Sequence, residues 1–191
     1  MTGRTHQLTG LVAATSVVVW GINPHYAPAS LAALLLAAHF GALVPDIDSG
    51  AAEIWEHLPF GGVASKAADT FLAHRNFTHS LLALGLFGWF SYWITSLLPV
   101  YWGIDPYLCW LGFMMGFIAH LVGDMLTVQG LPLFWPWQRA IGIPPKPLEG
   151  IRIVSGGWFE QLVLFPLLNL ALILIVWSKW SVLSVWLFRG Q

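Results

Sequence analysis

Five apolar stretches nearly free of charge constrain this chain more than any other feature: roughly Leu8 to Ile22, Ala29 to Val44, Ser80 to Val100, Tyr107 to Val128 and Gln161 to Trp177. A helix needs about 20 apolar residues to span a bilayer, where lipid offers the backbone no hydrogen-bond partner and the helix must satisfy itself. The first two stretches fall short of that length, so their ends are expected at the interface or across a thin span. The last either continues through Trp180 and Trp186 toward Phe188 or ends in an interfacial segment. Hydrophobic residues make up 57% of the chain, charged residues 9%, and the mean hydropathy is +0.71. A soluble domain carries about 25% charged residues. Too few charges are present to build a water-soluble surface, so lipid must cover much of this one. The expected fold is all-α, an integral membrane bundle of about five helices with long loops on one side, forming a single domain over residues 1–191.

Trp20, Tyr26, Trp93, Tyr101, Trp102, Tyr107, Trp177 and Trp180 sit near the ends of these stretches, as an interfacial aromatic belt would. The formal net charge of −1 and the lack of a basic tail give no reason to expect nucleic acid as a partner. The single cysteine, Cys109, excludes an internal disulfide and any cysteine-rich metal site. Arg4 precedes the first apolar run, but no small-residue cleavage pattern follows before Asn23-Pro24, so that run is read as a retained helix.

Two connections are long, Pro45 to His79 and Gln129 to Glu160, and the second holds five prolines that forbid one continuous helix. The other two, Asn23 to Pro28 and Pro99 to Pro106, are short turns. Threading five helices through a membrane puts both long connections on the side of the N-terminus. Arg4, Lys66, Arg75, Arg139, Lys146 and Arg152 all fall on that side, and only Lys179 and Arg189 stand apart. The positive-inside rule makes that side the cytoplasm.

The same threading gathers acids and imidazoles at one face. His6 precedes helix one, Asp46 and Asp48 follow helix two, and His74 and His79 lead into helix three. His120 and Asp124 lie in the near half of helix four, and Glu160 opens helix five. His120 and Asp124, four apart, project from one helix face and could share a cation. They read equally as a hydrogen-bonded pair that fixes helix packing, although ionisable groups within an apolar helix usually face a cavity or partner. His74 and His79 are either site residues or interfacial loop residues bonded to carbonyls. Arg75 is either an interfacial anchor or a fork for an anionic substrate oxygen. Ser80 reads as the N-cap of helix three, and Thr78 is left open. Asp46-Ile47-Asp48 could equally be a helix end turning into water.

Glu160 is a first-turn acid favoured by the helix dipole, a ligand or a general base. Histidine with carboxylate suits zinc, manganese or iron. His39 is a weaker supporting candidate, while His25 and His57 read as turn and loop residues. Gly112-x3-Gly116 is a spacing for close helix packing. Neither a Walker-type glycine loop nor a dinucleotide fingerprint is present.

His6, Leu43-Val44-Pro45-Asp46-Ile47-Asp48, His74-Arg75-Asn76-Phe77-Thr78-His79-Ser80, His120-Leu121-Val122-Gly123-Asp124-Met125-Leu126-Thr127 and Gly130-Leu131-Pro132-Leu133-Phe134-Trp135-Pro136 occur in an order that resembles the YdjM-type family of LexA-regulated inner-membrane metal-dependent hydrolases. The resemblance runs from about His6 to Glu160. That family is more distantly similar to the zinc-dependent phospholipase C superfamily, and motif order then implies His6, Asp46, His79, His120 and Asp124 as metal ligands. The later HxxxE motif of that superfamily is missing, since no histidine follows His120. One or two divalent ions are therefore expected rather than three, zinc first, with Glu160 filling part of the missing role.

The reading that follows is a membrane-embedded hydrolase of a phosphoester bond in a lipid or lipid-linked substrate. Arg75 would stabilise developing charge, Asp48 or Glu160 would act as base, and His74 would stand beside them. A non-catalytic adaptor that tethers a cytoplasmic regulator such as the LexA repressor is the alternative. A metal transporter ranks last, because only His39, His120 and Asp124 lie deep enough in the membrane.

Overall fold

A computed structural model describes residues 1–21, 26–48, 62, 77–181 and 184. Every named element among them is helical: α1 (Gly3–Gly21), α2 (Pro28–Gly41), α3 (Leu81–Ser96), α4 (Pro106–Met125) and α5 (Phe165–Ser178). Tight 3₁₀ turns cover Val44–Asp48 and Phe77–His79, and a π turn, Glu160–Leu164, runs directly into α5. Extended backbone pairs only at two isolated bridges, Thr127 with Ile153 and Leu131 with Ile141.

Local chemistry sets the helix starts. Pro28 and Pro106 stand in the first turns of α2 and α4, where a missing N–H costs nothing. The Asp105 carboxylate accepts from Tyr107 N at 2.8 Å, and Ser80 Oγ accepts from Ala83 N at 3.1 Å, the expected cap of α3.

Two boundaries differ from expectation. The carbonyl of Thr2 accepts from the backbone N–H of both Thr5 and His6, so the polar segment Gly3 to Gln7 is already helical and His6 lies inside α1, not ahead of it. Apolarity marks where a helix enters lipid, whereas its hydrogen-bond ladder can begin earlier. After α2 the chain does not turn away at Pro45. It continues as a 3₁₀ turn, which makes Pro28–Asp48 one apolar segment of 21 residues. That segment, Pro106–Met125 and Glu160–Ser178 are long and apolar enough to cross a membrane, while α3 is a shorter apolar helix.

Glycine brings α4 onto α2. A Cβ at Gly112 or Gly116 would overlap the carbonyl oxygens of Leu34 and Ala38, and one at Gly41 would overlap the backbone of Phe113. Small residues of this kind permit close helix packing in lipid, where no hydrophobic force drives helices together. Gly10 places α1 in the same junction, 3.0 Å from Ala42 Cβ to a Cβ built on it. One core cluster joins Ala14, Val18, Leu34, Ala38 and Leu108; a second joins Ala83, Phe117, Leu121 and Leu131. One end of this three-helix junction holds the polar residues.

Candidate metal centre

Four segments deliver the site. The first turns of α1 bring His6, the Val44–Asp48 turn brings Asp46, the Phe77–His79 turn brings His79, and the end of α4 brings His120 and Asp124. His6, His79, His120 and Asp124 are buried, and Asp46 is 22% exposed. They form two groups with candidate ligand atoms within 4.8 Å of one another: His6, His120 and Asp124, and Asp46, His79 and His120. His120 belongs to both. His79 Nε2 lies 3.4 Å from Asp46 Oδ1 and 3.6 Å from Asp124 Oδ2. His120 Nε2 lies 3.7 Å from Asp46 Oδ1 and 3.8 Å from Asp124 Oδ2, while His6 Nε2 lies 3.1 Å from Asp124 Oδ1.

Neighbouring groups fix how two of the rings are held. His120 Nδ1 is 2.7 Å from the carbonyl oxygen of Ala42, which can only accept. In the neutral ring Nδ1 therefore carries the proton, and Nε2 presents a lone pair to the carboxylates. The glycine contacts make this bond possible, because they bring the end of α2 within reach of α4. Behind His79, Thr78 Oγ1 donates to Asp48 Oδ2 at 2.7 Å, and His79 Nδ1 stands 3.0 Å from the same hydroxyl. Having used its proton on Asp48, that oxygen accepts from Nδ1–H, and Nε2 of His79 again faces inward as a lone pair. The His6 ring stacks on His120, centroids 3.6 Å apart and 13° from parallel. A Cβ at Gly123 would lie 3.3 Å from that ring, so the glycine in His120-Leu-Val-Gly-Asp124 leaves room for it.

Four ring nitrogens here, both of His6 and Nε2 of His79 and His120, are buried without a hydrogen-bond partner among the described residues. A buried polar atom left in that state costs about 1–3 kcal/mol. Lone pairs facing carboxylates repel one another, and a divalent cation relieves that repulsion. Three imidazoles and two carboxylates without a thiolate suit zinc, manganese or iron, so the residues fit the metal that the sequence implies. The Met1 amino group also approaches this cluster, 2.5 Å from Asp124 Oδ1.

The remaining sequence candidates stand elsewhere. Asp48 is buried behind His79 and acts on it through Thr78. Glu160 is buried but belongs to neither group; it accepts from Thr2 N at 2.7 Å, Thr2 Oγ1 at 2.8 Å and Gly156 N at 2.8 Å. It ties the start of α5 to the first turn of α1 and so steadies the turn that carries His6. His39 packs edge-on to Phe40 and is in neither group. His74 and Arg75 lie outside the described residues, as do His25 and His57. Sequence reasoning did not find the Ala42 carbonyl, which leaves no trace in a side-chain pattern, and it left Thr78 undecided. Gly123 was visible in the motif without its purpose.

The YdjM inner membrane protein family model matches residues 1–188. The chain belongs to that family. It is 32% identical to the Bacillus subtilis protein YvsG over 165 residues, 86% of this chain and 88% of that one. It is 30% identical over 182 residues to the inner membrane protein YdjM of Escherichia coli, 94% of this chain and 82% of that protein, and equally to YdjM of Shigella flexneri. No solved structure matches. The relation to the YdjM family is therefore established, and the more distant resemblance to the phospholipase C superfamily rests on motif order alone.

Proposed function

We propose that this YdjM-family chain is a membrane-embedded metal-dependent hydrolase of a phosphoester bond in a lipid or lipid-linked substrate. One or two divalent ions, zinc before manganese or iron, would be held by His6, Asp46, His79, His120 and Asp124. The observation that carries the reading is the inward aim of the His79 and His120 Nε2 lone pairs, each set by a bond on the opposite ring nitrogen and both turned toward Asp46 and Asp124. Ligand histidines in metal proteins are oriented by just such outer bonds. The two groups sharing His120 give room for two ions. Bound there, a divalent ion polarises a phosphoryl oxygen and makes water acidic near neutral pH.

Asp46 is the partly exposed member of the cluster, so substrate approaches from its side. Arg75, which lies outside the described residues, is the group proposed to meet developing negative charge. Asp48 orients His79 through Thr78, and Glu160, already accepting three hydrogen bonds, holds the first turn of α1 in place. The cation distribution supports a multi-pass arrangement with the site and the N-terminus at the cytoplasmic face. A centre at headgroup depth favours an amphiphilic substrate.

The test is metal analysis of detergent-purified protein together with phosphate release from phospholipids and a chromogenic phosphodiester, with and without chelator. Bound zinc and chelator-sensitive turnover are expected. Metal without turnover across the panel would reduce the centre to a structural one, and protein that retains no zinc, manganese or iron would end the reading.

A further inference from the structure

The connection between α4 and α5, residues 126–159, leaves the bundle as irregular backbone, yet it is built unlike a loop that faces water. Its charged side chains are Arg139, Lys146, Glu149 and Arg152. Arg152 is buried, with Nε donating to Pro144 O at 2.8 Å and Nη2 to Gly142 O at 3.3 Å. Lys146 and Glu149 pair at 3.6 Å, and the Arg139 guanidinium stacks over Trp137 at 5.0 Å. The exposed surface is instead large and apolar: Ile151 is 75% exposed, Trp158 71% and Val154 63%, with Leu148 and Ile143 also outward.

The backbone follows the same logic. Five prolines, Pro132, Pro136, Pro144, Pro145 and Pro147, bring no N–H that would need a partner. Much of the rest is cross-bonded within the protein: Val128 N to Ile153 O, Ile153 N to Leu126 O, Leu131 and Ile141 to each other, and Ile143 N to Met125 O, all at 2.7–3.0 Å. Unpaired backbone groups are what bars irregular chain from low-dielectric surroundings. Here many of them are paired or absent.

We propose that this connection is an interfacial plate, set into the headgroup and upper acyl layer of the leaflet on the side of the metal centre. Its occupant is lipid, on two grounds. The plate is continuous at both ends with helices apolar and long enough to cross the membrane. Its outward-facing charges, Arg139 and Lys146 against Glu149, leave a net positive charge that complements an anionic headgroup layer. Ile151, Val154 and Trp158 enter the acyl boundary, with Lys146 reaching up to the phosphates. This holds whether or not the centre below is catalytic.

Site-directed spin labelling tests it in the full chain, reconstituted in nanodiscs containing phosphatidylglycerol. Ile151→Cys, Val154→Cys and Leu148→Cys are labelled in a Cys109→Ala background. Exposed side chains are replaced, so folding is expected to survive, and helix content by circular dichroism checks it. Collision with dissolved oxygen should exceed collision with a water-soluble nickel chelate severalfold at all three positions. A greater response to the chelate would overturn the proposal. Shielding from both reagents would overturn it as well, in favour of a protein partner on this face.

Discussion

Helix α4 and the segment Glu160–Ser178, in which the π turn runs into α5, both have the length and apolarity to cross a membrane, and they are used in opposite ways. More than half of the most apolar window of α4 is buried in the protein and none of that of α5, although α5 is the more hydrophobic of the two. In water the order would be reversed. In lipid, hydrophobicity does not drive a helix inward; small residues that let backbones touch, and polar groups that need partners, do. Helix α4 carries Gly112, Gly116, Gly123, His120 and Asp124, so it takes the centre of the bundle. Helix α5 carries none of these and faces lipid along Leu167, Leu170, Ile173 and Leu174, all exposed.

The sharpest break in this comparison is at the buried polar end of α4. Asp124→Ala, or His79→Gln as a variant of similar size, should abolish metal retention in purified protein, read by elemental analysis, whereas Leu170→Ala should leave metal content unchanged. Full metal content in both site variants would refute the assigned centre. Next in size, Gly116→Leu should destabilise the bundle by about 3 kcal/mol or more, since overpacking costs about 1–3 kcal/mol even without backbone overlap. Thermal unfolding in detergent measures it, and an unshifted midpoint would mean that α2 and α4 are not in contact.

Thr78→Val probes the orienting bond rather than a ligand. A loss of about 10–100-fold in metal affinity is expected, as for other residues that position a ligand histidine. Thr78→Ser should restore it, and failure of serine to do so would show that the hydroxyl is not what positions His79. The smallest effect belongs to α5: Ile173→Val on the lipid face should change stability by less than about 0.5 kcal/mol. A shift comparable to that of Gly116→Leu would mean that α5 packs against something other than lipid.

The helical fold, the gathering of polar residues at one end of the bundle and the spacing of His120 with Asp124 could all be read from residues alone, because charge and apolarity obey the membrane whatever the packing. The start of α1 could not be. Its first turn is polar, and only the bonds from Thr5 and His6 to Thr2 make it helical. Nor could the work of Glu160, which as an acid at the head of an apolar helix resembles a ligand until Thr2 and Gly156 are seen to occupy it.

Hydropathy by itself determined that this is a helical membrane protein with acids and imidazoles toward one face, since both follow from which side chains lipid will accept, and motif order pointed to the YdjM family. Only the tertiary structure decided which of those side chains meet, and in which tautomer. That outcome depends on the approach of α2 to α4 at Gly41, Gly112 and Gly116 and on the Ala42 carbonyl thereby brought to His120. Distances of a few ångströms between segments remote in sequence are set by packing, and packing is a property of the whole chain.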